Sequence, residues 1–167
     1  NGTFDSTYQG ALLVADVDMT DKGFKTIDGF TSTFEGRHYS IKGLTEPLFG
    51  ENVVGTISNL NISGNIVETT SSKVGMIARS LAVDGEKVGT IFNCSVSGAI
   101  EYKNPNVTAS EDFALVNVGG AVGGVYGANV SSVKSEVAVT ISLAGPDGDV
   151  LYKPCIGGVA GYVCASG

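Results

Sequence analysis

"GTISNLNISGNI" spans Gly55 to Ile66 and "GTIFNCSVSGAI" spans Gly89 to Ile100, with seven of twelve positions identical at a separation of 34 residues. A weaker third copy, "ANVSSVKSEVAVTI", runs from Ala128 to Ile141, 39 residues after the second. Segments of another kind alternate with these: "KVGMIARSL" from Lys73, "NVGGAVGGVYG" from Asn117 and "CIGGVAGYV" from Cys155. Self-similarity at a period of about 20 to 50 residues marks stacked-repeat architectures, because one short unit cannot bury its own apolar face and must lean on its neighbours.

Within the first copy Leu60 and Ile62 alternate with Asn61 and Ser63, and the second copy places Cys94 and Val96 at the matching positions. Alternation with period two is the pattern of a half-buried strand. Ile57 and Ile91 fall out of phase with it, so the spacing predicts a bend at Ser58-Asn59 and again at Phe92-Asn93. Strands stacked in register lie about 4.8 Å apart, which would set Asn59 beneath Asn93 with their amides hydrogen-bonded along the stack. The predicted structural ladder is therefore Asn59 with Asn93, Leu60 with Cys94, and Ile62 with Val96. The third copy carries Ser132 where asparagine is expected, so the ladder should weaken there.

Composition agrees with strands. Of 167 residues, 43% are apolar and only 16% charged, with 24 glycines and no tryptophan, which suits an all-β chain with tight turns. Burying a Val or Ile gains about 1.5 to 3 kcal/mol, more than the roughly 0.5 to 1 kcal/mol that a strand glycine costs against alanine. The glycines of "VGGAVGGVYG" accordingly read as corners and close backbone approaches within a β-branched frame. The net charge of −7 comes without any basic run, which argues against nucleic acid as a partner. No stretch reaches the roughly 20 apolar residues of a membrane-spanning helix. The first residue is Asn, so the chain is expected to be part of something longer.

The order of motifs carries a family resemblance. "GALLVADVDMTDKGFKTIDGFTSTFEGRHYSIKGL" from Gly10 is followed by "LFG" at Leu48 to Gly50, then by the alternating segments above. This run resembles the Bacteroidetes-type surface repeat proteins with GLUG motifs, over most of residues 10 to 164. The resemblance implies a right-handed parallel β-helix, or β-solenoid, on a cell surface, with adhesin-like character. The alternating segments divide the chain, read as a single solenoid domain over 1–167, into an N-terminal entry coil over 1–50 and repeat units over 51–88, 89–127 and 128–167. The sequence departs from the family pattern at His38, which stands where the family has Gly, and at Tyr39, which stands where the family has His. Histidine tolerates a left-handed backbone better than most residues, so His38 is expected to fill the turn.

Candidate chemistry is sparse. His38 is the only histidine, which excludes a multi-histidine metal site. Asp16, Asp18 and Asp21 imitate part of a calcium loop, without its regular alternation of acids or its terminal Glu. Asp147 and Asp149 form a turn sequence. No acidic residue recurs at an equivalent position of the repeats, as a carboxylate-pair polysaccharide enzyme would need. Cys94, Cys155 and Cys164 allow at most one internal disulfide, with Cys94 expected as a small core residue. Asn61, Asn106 and Asn129 lie in Asn-x-Ser/Thr sequences and are glycan acceptors if the chain is glycosylated. These readings predict an extracellular, non-catalytic structural or adhesive module, a stalk or filament segment, with no cofactor. Its expected partners are other copies of itself or adjoining surface-protein domains. The alternative is a carbohydrate-binding or carbohydrate-processing β-helix using Tyr102, Tyr126 and Tyr162.

Overall fold

The computed structural model describes residues 10–103, 114–142 and 152–165. Every regular element among them is a strand. In chain order these are β1 (Ala11–Leu12), β2 (Val17–Asp18), β3 (Thr33–Glu35), β4 (Ser40–Leu44), β5 (Thr56–Ser58), β6 (Asn61–Glu68), β7 (Lys73–Val74) and β8 (Ala78–Leu81). There follow β9 (Val83–Asp84), β10 (Lys87–Val88), β11 (Thr90–Tyr102), β12 (Ala114–Gly119), β13 (Val122–Tyr126), β14 (Asn129–Ile141), β15 (Tyr152–Gly157) and β16 (Ala160–Cys164).

The strands pair repeat on repeat. One large sheet joins β1 to β3, β5 and β11, and β2 to β4, β6 and β11, with β14 on the far side of β11. Smaller sheets order as β7, β12, β15 and as β8, β13, β16. These pairings are parallel; only the β9–β10 hairpin is antiparallel among the described strands. Ile57 pairs with Ile91 and Ile91 with Val130, while Ile62 pairs with Val96 and Val96 with Ser135. Parallel strands need a crossover connection, and here the other two sheets supply it.

Register follows from burial. Ile57, Leu60, Ile91, Val74, Val118 and Leu81 are fully buried, and Ile62, Cys94, Val96, Ile66 and Ile100 nearly so. A slip of one residue would turn each of these outward and bring Asn61 or Ser95 into the core. In the amino-terminal coils Phe49 packs in the interior, with its ring 4.5 Å from Phe30 and 5.7 Å from Phe34. Phe49 also bridges Ile27 to Ala78, so the first coils share the column that continues through Val122 and Ala160.

Each type-two segment forms two strands: β7 and β8, β12 and β13, and β15 and β16. The chain bends at Gly120-Ala121 and at Gly158-Val159, splitting β12 from β13 and β15 from β16. Space demands glycine at Gly119 and Gly157, where a Cβ would collide with the carbonyl oxygens of Val122 and Ala160. Within β13, a Cβ on Gly123 would stand 2.6 to 2.7 Å from the backbone of Arg79 and Val74. In the large sheet Gly98 takes φ of +118°, and a Cβ there would collide with the Gly64 carbonyl oxygen.

Replacing the fully buried Leu60 with alanine should lower the unfolding free energy by about 2 to 5 kcal/mol. Phe92→Ala, at a position 38% exposed on the outer face, should cost clearly less. Urea titration of the two variants checks the difference.

Candidate functional site

The bend in each copy is built on a left-handed residue. Asn59, Asn93 and Ser132 take φ of +52°, +51° and +51°, a conformation that asparagine accepts more readily than most side chains. Asn93 Nδ2 donates to Asn59 Oδ1 at 2.6 Å, and Asn59 Nδ2 donates to both carboxylate oxygens of Glu35 at 3.0 Å. Ser58 Oγ and the Arg37 amide also donate to Glu35, each at 2.8 Å. The amide row thus ends on a carboxylate. Burial works to raise the Glu35 carboxyl, but the donors from Arg37, Ser58 and Asn59 outweigh it and hold the group below its ordinary range. His38, at φ +64°, sits in the same turn, and its carbonyl accepts from Asn61 Nδ2 at 2.7 Å.

A second polar cluster lies where β6 turns into β7. Glu68 pairs with Tyr102 in register and is 3% exposed, a carboxylate at the end of an otherwise apolar column. Its Oε1 accepts from Thr70 N at 2.8 Å, Thr70 Oγ1 at 3.0 Å and Ser71 N at 2.8 Å, and its Oε2 accepts from the Arg79 guanidinium. Burial pushes the Glu68 carboxyl up, and the Ser71 and Thr70 amides together with Arg79 overcome that and keep it ionised. With both oxygens engaged, Glu68 anchors the turn and is not poised to exchange a proton with a substrate.

An open cleft of about 570 Å³ is lined by Asp28, Glu51, Thr70, Ser71 and Arg79. Glu51 accepts from Lys73 Nζ at 2.8 Å and from Ser71 Oγ at 3.3 Å. The same ammonium stands 5.6 Å from the centre of the Tyr126 ring, and the Tyr162 ring follows at 5.9 Å, tilted by 44°. Asn117, itself buried, donates to the Tyr126 hydroxyl at 3.3 Å. Carboxylate, hydroxyls, ammonium and two half-exposed aromatic rings therefore adjoin on one outer face.

The remaining candidates fall elsewhere. Tyr102 is fully buried in the core, so the three tyrosines do not line one face as the carbohydrate alternative supposed; its register beside Glu68 turns it inward. Asp16 accepts from the Ser40 amide at 2.7 Å and Asp18 from the Thr20 amide at 2.9 Å, bonds that serve a strand end and a turn. Among the described residues no three His, Cys, Asp or Glu groups gather as a metal site. The three cysteines are free thiols; Cys94 is buried opposite Leu60, where burial pushes it up to about 11. Cys155 and Cys164 lie on separate strands, β15 and β16, across the Gly158-Val159 bend. Asn61 spends its side chain within the ladder, accepting from Ser95 Oγ at 2.6 Å, whereas Asn129 is exposed. Asn106, Asp147 and Asp149 lie outside the described residues. No helix among the described residues is long and apolar enough to cross a membrane. Sequence reasoning missed Glu35, Glu51 and the Glu68–Arg79 pair, because their partners come from other repeats or across a turn and no local spacing announces them.

No family model matches the chain, and no solved structure matches it. Three curated relatives do. An immunoglobulin A1 protease of Streptococcus pneumoniae is 30% identical over 189 aligned residues, covering 98% of this chain and 9% of the relative. The one from Streptococcus pneumoniae (strain ATCC BAA-255 / R6) is 30% identical over 77% of this chain and 7% of its own length. That of Streptococcus sanguinis is 29% identical over 98% of this chain and 10% of its own length. The chain thus spans about a tenth of the length of the curated relatives it matches. This similarity corrects the expectation that the chain is no part of an enzyme, since its relatives are named proteases. Thin chemistry in 167 residues says nothing about the far longer remainder of such a protein.

Two outcomes follow for this surface. Asn59→Gly keeps the left-handed bend but deletes the amide row and should cost about 1 kcal/mol, while Asn59→Val adds backbone strain and should cost more; chemical denaturation separates the two. The carboxyls of Glu35 and Glu68 lie lower folded than unfolded, so the stability they give is present above the ordinary value near 4.5 and is lost as pH falls through their folded values. The melting temperature should therefore drop on acidification below that value, and Glu68→Gln should flatten the drop.

Proposed function

We propose that the chain is a stretch of right-handed parallel β-helix, built from GLUG-type repeats, in an extracellular surface protein related to the immunoglobulin A1 proteases, and that it carries a recognition surface for that protein's target. Three parallel sheets with repeat-on-repeat register support the β-helix reading, since parallel crossovers are right-handed in nearly all proteins. Similarity over 98% of the chain to an immunoglobulin A1 protease supports the protein class and an extracellular site of action, because an antibody is met outside the cell.

The observation that carries the recognition role is the convergence of Glu51, Ser71 and Lys73 with Tyr126 and Tyr162 on one outer face. Charged and hydroxyl groups beside aromatic rings are the side-chain chemistry of binding surfaces, with Tyr enriched among the residues that dominate affinity. Adhesion and substrate capture use such a surface alike. A carbohydrate target is the second reading, favoured by the paired rings of Tyr126 and Tyr162.

Surface plasmon resonance of the chain over immobilised immunoglobulin A1, with immunoglobulin G as control, tests the proposal. Saturable binding to the former should weaken roughly 30-fold in Tyr126→Ala, about 2 kcal/mol for an interface aromatic. Equal or absent binding to both antibodies contradicts it. Loss of binding after enzymatic removal of glycans from the antibody would select the carbohydrate reading.

A further inference from the structure

The glycines of the type-two segments are of two kinds. At Gly119, Gly123, Gly157 and Gly161 the atoms nearest an added Cβ are all backbone, so these glycines serve the close approach of chain to chain. At Gly124, in β13, the three nearest atoms all belong to the Tyr126 side chain: Cε2 at 2.7 Å, the hydroxyl oxygen at 2.9 Å and Cζ at 3.1 Å. Residues two apart face the same side of a strand, and the ring lies down in the space that a side chain at 124 would fill. Its hydroxyl reaches the adjoining sheet and accepts from Asn117 Nδ2 at 3.3 Å. Asn117 is 2% exposed, and its Oδ1 has no hydrogen-bond partner among the described residues. An amide buried with one acceptor unmatched works against folding, a loss that an apolar side chain of the same shape would avoid.

Given the recognition role proposed above, we infer that Asn117 and Gly124 are its positioning residues: Gly124 gives the Tyr126 ring its bed, and Asn117 pins the hydroxyl. Both are buried, so they act through the tyrosine and not by touching a ligand. Lys73 pairs with Asn117 in register, and its ammonium stands 5.6 Å from the centre of the Tyr126 ring while donating to Glu51 at 2.8 Å. Hydroxyl, ring, ammonium and carboxylate are therefore fixed in series, beginning at the buried amide. An aromatic side chain already held in its bound place loses less freedom on binding, which raises affinity. The unmatched acceptor of Asn117 is thus a cost borne by the fold for a rigid binding surface.

Asn117→Leu and Gly124→Ala in the whole chain test this. Nuclear Overhauser contacts between the Tyr126 ring protons and the Gly124 α-protons should be present in the unaltered chain and lost in Asn117→Leu. Both variants should melt no lower than the unaltered chain, because one removes an unmatched buried acceptor and the other displaces only the end of a side chain. Each should weaken binding to immobilised immunoglobulin A1 roughly tenfold, the scale of ordering one side chain on binding. Neither should weaken it further in a chain that already carries Tyr126→Ala, since a residue acting only through that ring has nothing left to position. A ring contact that persists in Asn117→Leu overturns the inference, as do lower melting temperatures in both variants, binding as tight as that of the unaltered chain, or a further loss beside Tyr126→Ala. If the unaltered chain binds no immunoglobulin A1, the recognition role fails instead, and the ring contacts and melting temperatures still decide whether these two residues hold the ring.

Discussion

Side chains of successive repeats must stand in the same column, and every other feature of this molecule depends on that requirement. A parallel ladder fixes the partner of each residue, and with a side-chain period of two a single slip exchanges the inner and outer faces completely. The large sheet shows what the rule demands. Ile57 meets Ile91, Leu60 faces Cys94 and Ile66 meets Ile100, all buried, while Asn61, Ser63, Ser95 and Ser97 turn outward. No single repeat encloses these residues; the enclosure is made between repeats.

Polar groups were admitted where the column rule needs local help. At each bend the backbone turns left-handed, and the Asn93–Asn59–Glu35 row converts that turn into a bonded series across three coils. Where β6 ends, Glu68 occupies a core position and is held ionised by two amides, a hydroxyl and Arg79. Breaking a buried pair of this kind strands a charge, which ties the turn over residues 69–72 to the interior and shapes the cleft beside Glu51 and Lys73. The same electrostatics that stabilise the turn thus position the surface to which we assign recognition.

Much of the fold was legible because repetition wrote it twice. The alternation at Leu60 and Ile62, its echo at Cys94 and Val96, and the phase break before Asn59 locate strands and bends without tertiary information. The glycines of the type-two segments read as corners and close approaches, but their spacing does not say where one strand ends and the next begins, so the split of each such segment into two strands was hidden. The candidate surface was less legible still. Lys73, Glu51, Tyr126 and Tyr162 come from different repeats, and only the stacking brings them together. Tyr102 misled for the complementary reason: it sits two residues after Ile100, and the same alternation that buries Ile100 buries its ring. Kinship with proteases could not be read from a stretch covering about a tenth of such relatives.

Nuclear Overhauser contacts between methyl groups test the stacking most directly. In-register parallel repeats predict strong contacts of Ile62 with Val96 and of Ile66 with Ile100, residues 34 apart in sequence, with Val96 showing none to Ile57 of the neighbouring column. Contacts instead between Ile66 and Val74, as in a local hairpin, with none across the 34-residue period, would contradict the account.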